Sequence, residues 1–170
     1  MGLLENKIAI ITGGGRGIGK AIALQYYKEG SIVILADFDA QTGKDTAKLI
    51  GGHYVKTDIS DEKSVTSLFD YVKTKFSRLD ILVNNAGILQ DSTLKKLEPD
   101  QFDAVINVNL RGTYLCGKAA ADIMTKQRNG VILNTASVVA HNGNFGQTNY
   151  VASKTGVIGM TKVWARELGK

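Results

Sequence analysis

Tyr150 and Lys154 are the residues of this chain whose types and spacing speak most directly of chemistry. Four positions apart in a segment with helical patterning, they fall on one face of the helix, which brings the ammonium near the phenol. A phenol alone is a poor base near neutral pH. A neighbouring cation stabilises the phenolate, so the pair becomes able to exchange a proton with a substrate oxygen. A core tyrosine followed by a surface lysine has the same spacing, so the pair gains meaning only from other motifs. One lies near the start of the chain, where Thr12, Gly13, Gly14, Gly15, Arg16, Gly17, Ile18 and Gly19 separate an apolar run from a helical pattern. The first amides of a helix have no partners inside it and sit at the positive end of its dipole, so such a turn suits an anion, above all a pyrophosphate. Gly13 suits the unusual dihedrals of the turn, while Gly17 and Gly19 carry no side chain to obstruct the phosphate or the packing of helix on strand. A glycine-rich turn in an ordinary loop is common, and its position between strand and helix is what favours nucleotide binding.

Behind these residues stands an alternation of short apolar strands and helices. Strands are expected at Lys7 to Ile11, Ile32 to Ala36, Tyr54 to Thr57, Ile81 to Asn84 and Val131 to Thr135. Between them the patterning predicts a helix after the glycine turn, others over Gln41 to Ile50 and Asp61 to Phe76, and two helical stretches between Asp100 and Lys126. Ser60 or Asp61 would cap the third helix, and Pro99 stands where a helix can begin. A final helix runs from Asn149 to Leu168, with apolar residues on more than one stripe, which suits either burial within the chain or a subunit contact. The pattern predicts an α/β fold, a doubly wound parallel Rossmann sheet with helices on both faces. Asp37 then ends the second strand, eighteen residues beyond Gly19, where that fold presents an acid to the adenosine ribose. A carboxylate there disfavours a ribose phosphate, whereas Arg16 would attract one. Asp37 meets the ribose directly and weighs more, so NAD(H) is expected, with NADP(H) left open through Arg16.

The chain has 170 residues, of which 44% are hydrophobic and 22% charged, in keeping with one domain over residues 1–170. There is no long uncharged apolar run and no signal-like start, and Cys116 is the only cysteine, so a soluble protein of the reducing cytoplasm is expected. With two histidines, His53 and His141, and one cysteine, no metal site is expected. The net charge of +5 comes from lysines scattered among acids, which argues against nucleic acid and for a solvated surface.

Taken together, Thr12 to Gly19, Asn84-Asn85-Ala86-Gly87, Asn107-Val108-Asn109, Ser137, and Tyr150 with Lys154 resemble the short-chain dehydrogenase/reductase family in order and spacing, over essentially the whole chain. The stretch from Gly143 to Gly169 is most similar to bacterial 3-oxoacyl-acyl-carrier-protein reductases. The resemblance implies a catalytic set of Asn109, Ser137, Tyr150 and Lys154. In that set Ser137 would bond the substrate carbonyl, and the Asn109 side chain would help position a water joining Lys154 to solvent. For the cofactor it implies Thr12, Gly13, Arg16, Gly17, Ile18, Gly19 and Asp37 on the phosphate and ribose side. Asp58 and Ile59 would lie at the adenine, Asn85, Ala86 and Gly87 along the wall of the pocket, and Tyr150 and Lys154 at the nicotinamide ribose.

The implied activity is hydride transfer between NAD(P)(H) and a carbonyl or secondary alcohol, with 3-oxoacyl thioester reduction ahead of sugar, diol or other alcohol oxidation. The implied assembly, for the full-length form, is a homodimer or homotetramer, with no nucleic-acid or membrane partner. A non-catalytic NAD(H) sensor and a purely structural fragment are the rival classes, since fold alone does not establish catalysis. Proteins of this type continue beyond the Tyr-Lys helix into further strands, a helix and a substrate-covering loop. The expectation is therefore a C-terminally incomplete chain, poorly active alone, with its fifth strand left as an apolar edge.

Overall fold

The computed structural model describes residues 2–169. Its parallel sheet is built from β1 (Ile8–Thr12), β2 (Ile32–Asp37), β3 (His53–Lys56), β4 (Ile81–Asn84) and β5 (Val131–Asn134), in the order β3-β2-β1-β4-β5. The chain winds outward from β1 through β2 to β3, then returns to place β4 on the other side of β1. This reversal opens a crevice at the carboxyl ends of β1 and β4, where doubly wound sheets bind ligands. Every residue of β1 is buried, because helices cover both faces of the sheet at its centre.

The two faces have separate cores. Ile8, Ile10, Ile34 and Leu82 pack with Leu68, Phe69 and Val72 of α3 (Glu62–Phe76) and with Cys116 and Ala120 of α5 (Thr113–Gln127). Ala9, Ile11, Val33, Leu35 and Val83 pack with Ala23 of α1 (Gly17–Lys28) and Ala47 of α2 (Ala40–Leu49). Alternation along each strand thus sends adjacent residues to opposite layers. Asp39 caps α2 by accepting from the Gln41 and Thr42 amides, and Asp61, rather than Ser60, caps α3 through Lys63 and Ser64.

The region from 100 to 126 departs from the expectation of two separate stretches. α4 (Pro99–Val105) runs through a π-helical segment, Ile106–Gly112, into α5 without a break. α4 starts at Pro99, and the Gln101 side chain accepts from the Glu98 amide at 3.1 Å. A four-residue helix, α6 (Val139–Asn142), which the pattern did not predict, precedes the long α7 (Thr148–Leu168). Gly117 of α5 lets α7 approach: a Cβ there would lie 2.5 Å from the Trp164 ring. Among the described residues no helix is long and apolar enough to cross a membrane.

Candidate active site

The crevice begins at the glycine turn. Gly13 (φ +64°) and Gly17 (φ +55°) both occupy the left-handed region that side chains disfavour. Open space lies where a Cβ of Gly17 would project, whereas a Cβ on Gly19 would stand 2.1 Å from the Gly13 carbonyl. The first glycine thus leaves room beside the start of α1, and the second lets the helix rest on the turn. Thr12 works beneath them: its hydroxyl donates to the Val83 carbonyl and accepts from the Asn85 and Ala86 amides at 3.0 and 3.1 Å. Asn85 returns the tie by donating to the Thr12 and Gly13 carbonyls. These bonds join the ends of β1 and β4 into one wall.

Asp37 supports the same turn from β2, accepting from the Gly15 amide at 2.8 Å and the Asp39 amide at 3.0 Å. A cleft of about 670 Å³ opens here, lined by Gly13, Gly17, Asp37, Asp58 and Ala86 among others. Arg16 and Ile18 lie exposed at its rim, and Arg16 forms no ion pair among the described residues. Asp58 accepts from the Ser60 amide and hydroxyl, while Ile59 borders the cleft with its side chain set in the core. The lining suits a dinucleotide: an open turn at a helix start is the kind of place that accepts a pyrophosphate, and a carboxylate at the end of a second strand is the kind that accepts ribose hydroxyls.

Gly87 leads from this cleft to the second half of the site. A Cβ on it would lie 3.2 Å from Asn109 Oδ1 and 3.8 Å from Lys154 Nζ. Lys154 is 4% exposed, and its Nζ donates to the Thr135 carbonyl at 2.7 Å while standing 5.7 Å from the centre of the Tyr150 ring. Burial pushes the Lys154 ammonium below its ordinary pKa. The half-buried Ser137 lies two residues beyond Thr135, on the segment that Lys154 holds. Neither the Ser137 hydroxyl nor the Tyr150 phenol makes a hydrogen bond within the described residues. Both remain available to a ligand.

A short chain dehydrogenase family profile matches residues 7–170. The chain belongs to the short-chain dehydrogenase family. Its relatives include the 3-oxoacyl-[acyl-carrier-protein] reductase of Thermotoga maritima, 45% identical over 97% of this chain and 69% of the relative. The corresponding reductase of Synechocystis is 42% identical over 99% of this chain and 70% of its own length. The human (3R)-3-hydroxyacyl-CoA dehydrogenase is 39% identical over 98% and 69% respectively. As a short-chain dehydrogenase the chain is an NAD(P)-dependent oxidoreductase.

Asn109 ties the two halves of the site together. Its side chain is 0% exposed. It accepts from the Ile88 amide at 2.8 Å and donates to the Ile88 carbonyl at 3.0 Å and Ser153 Oγ at 3.3 Å. Both donor hydrogens are therefore spent on protein, and the side chain clamps the loop after β4 against α7. Sequence reasoning passed over Ser153, whose hydroxyl donates to the Tyr150 carbonyl at 2.7 Å, and Asn149, which is fully buried. The pattern carried no signal for either, because the buried positions of α7 are Asn149, Ser153, Lys154 and Val157, and only the last is apolar.

Proposed function

We propose that this protein reduces 3-oxoacyl thioesters to 3-hydroxyacyl thioesters, with Tyr150 as the proton donor and NADH as the preferred reductant. When bound, the reduced nicotinamide supplies the hydride that the carbonyl carbon receives. The residues of this chain do the rest. Tyr150 gives its phenolic proton to the carbonyl oxygen, and the free Ser137 hydroxyl orients that oxygen by donating to it. Lys154 favours the phenolate left behind and helps hold the nicotinamide ribose. Thr12, Gly13, Arg16, Gly17, Ile18 and Gly19 make or support the pyrophosphate turn. Asp37 takes the ribose, Asp58 and Ile59 border the adenine, and Asn85, Ala86 and Gly87 form the wall.

The observation that carries this reading is the buried ammonium of Lys154, held by Thr135 beside the Tyr150 ring and within reach of the Gly87 end of the cleft. A buried lysine with this little neutralisation is costly unless its charge is used. The thioester class is supported by the 45% identical reductase and by the human relative named for a CoA thioester. Asp37 supports NAD(H), while the exposed Arg16 keeps NADP(H) as the second reading. Residues 1–170 would form one catalytic and dinucleotide-binding domain of a cytoplasmic protein whose full-length form is a homodimer or homotetramer.

Tyr150→Phe is the test. With acetoacetyl thioester as substrate, turnover is expected to fall at least about a hundredfold, the usual scale for losing a general acid. NADH affinity, read by its fluorescence, should stay within about twofold because the ring remains. Near-normal turnover would refute the assignment.

A further inference from the structure

One firmly anchored residue beside the site has no part in the scheme above. Asn149, 0% exposed, is the second residue of α7 and immediately precedes Tyr150. Its Oδ1 accepts from the Tyr150 amide at 2.8 Å. Its Nδ2 donates to the Gln90 carbonyl at 3.0 Å and the Gln101 carbonyl at 3.3 Å. Gln90 lies in the loop that leaves β4 past Gly87, and Gln101 lies in α4. One amide therefore joins three separate parts of the chain, and each of its bonds has a distinct consequence.

The Tyr150 amide is one of the first four of α7, which have no helical acceptor. An ordinary cap would satisfy it from the residue before the helix, but Gln147, in that position, makes no such bond. Its side chain is turned to Asp91 instead, at 2.8 Å. Asn149 takes over the capping from inside the helix while its other end reaches across to Gln90 and Gln101. Capping alone needs only an acceptor, which Asp or Ser provides. The two donors are the added feature, and an amide is the group that combines them with an acceptor at this length.

Tyr150 is also fixed on its other side. Its carbonyl accepts from Ser153, whose oxygen receives a hydrogen bond from Asn109, and Asn109 clamps Ile88. Two fully buried asparagines thus grip residues 88 and 90 of one loop, and both trace back to the main chain of Tyr150. The loop they grip begins at Gly87, beside Lys154.

We propose that Asn149 is a positioning residue, registering the Tyr150 phenol against the loop after β4 so that the proton lies where negative charge develops on the carbonyl oxygen. It touches neither substrate nor cofactor, and the inference rests on the role given to Tyr150 above. A misplacement of about 1 Å in a reacting group is enough to cost a hundredfold in rate.

Asn149→Asp and Asn149→Ser both keep an acceptor for the Tyr150 amide and lose donors to Gln90 and Gln101. The purified variants are compared with the unaltered protein for kcat, for KM of acetoacetyl thioester, for NADH dissociation constant, for melting temperature and for the solvent deuterium isotope effect on kcat. The expected result is a kcat lowered ten- to a hundredfold, an NADH constant changed less than twofold, and a larger solvent isotope effect, because proton transfer becomes the slow step. A kcat within twofold of the unaltered protein overturns the proposal. So does a parallel loss of melting temperature and NADH affinity, which would make Asn149 a clasp for the fold alone. Tyr150→Phe, run alongside, separates the two claims: if it keeps its turnover, the role of Tyr150 is wrong, whereas its inactivity beside active Asn149 variants leaves that role intact and removes this one.

Discussion

Under the proposed function Asp37 would have two tasks that pull on one carboxylate. It orders the glycine turn by accepting from the Gly15 amide, and it stands where the adenosine ribose would arrive. Hydrogen bonds to a charged acceptor contribute about 1.5–3 kcal/mol. Asp37→Ser should therefore weaken NADH by roughly ten- to a hundredfold, since each 1.4 kcal/mol is tenfold. NADPH should lose far less, because the same change removes a negative charge facing the extra phosphate and leaves Arg16 free to meet it. Steady-state turnover with each cofactor checks this; an unchanged NADH to NADPH ratio would remove Asp37 from cofactor selection. At this scale the sequence was readable wherever a role follows from local spacing. Tyr150 and Lys154 share a face because four residues make about one helical turn, and Gly13 was readable because a tight turn requires its conformation. Asn149 and Ser153 were not, because the partners that set them apart from ordinary helix residues are the carbonyls of Gln90 and Gln101 and the side-chain amide of Asn109. Those contacts exist only after the loop, α4 and α7 have assembled.

Elements were legible to the extent that burial imposes a period. The five strands, the parallel arrangement and the glycine turn followed from apolar runs alternating with helical patterns. The π-helical stretch Ile106–Gly112 leaves no such trace, because an extra residue in a helical turn shifts a face without changing composition. Nor does the four-residue α6, which is too short for periodicity to register. β3 and α3 show a consequence of packing that is equally invisible beforehand. His53 on β3 faces Tyr71 and Lys75 on α3, with Lys75 Nζ and the Tyr71 hydroxyl each 3.1 Å from His53 Nδ1. Lysine can only donate, so that nitrogen accepts and the ring proton sits on Nε2. Burial, and then the charge of Lys75, hold His53 below its ordinary pKa of 6.5. The folded state then binds fewer protons than the unfolded state, so stability rises with pH through this window. His53 therefore stabilises fully above 6.5, and its contribution declines as pH falls toward the lowered folded value. Melting temperature measured from pH 7.5 to 5 should show a decline that His53→Gln reduces; equal slopes would mean the contact carries no linkage.

Across the whole molecule the two edges of the sheet are finished differently. β3 closes one side with His53 and Lys56 in its four residues, and Lys56 lies 5.9 Å from the centre of the exposed Phe38 ring. Charge on an edge discourages a second chain from adding to it. β5, at the other side, reads Val-Ile-Leu-Asn and has no charge. Ile132 turns toward the core shared with α3 and α5, so by alternation Val131 and Leu133 turn to the opposite face, where they are 51% and 44% exposed. The same face is well covered at the centre, where Val83 on the neighbouring β4 is 3% exposed. Cover thus fails between β4 and β5, and it fails where the strand also offers unpaired backbone groups. Both features favour strand addition from another molecule. A polypeptide of these 170 residues alone should therefore associate as its concentration rises, through β5 rather than β3. Leu133→Lys places an ammonium on the open face without touching the glycine turn or Lys154, so it should suppress the association seen by light scattering while NADH binding stays within about twofold. A Lys56→Glu change at the exposed end of β3 should leave the association as it was. If Leu133→Lys associates like the unaltered protein, the contact lies elsewhere, and α7, with Val163 51% exposed, becomes the surface to alter next.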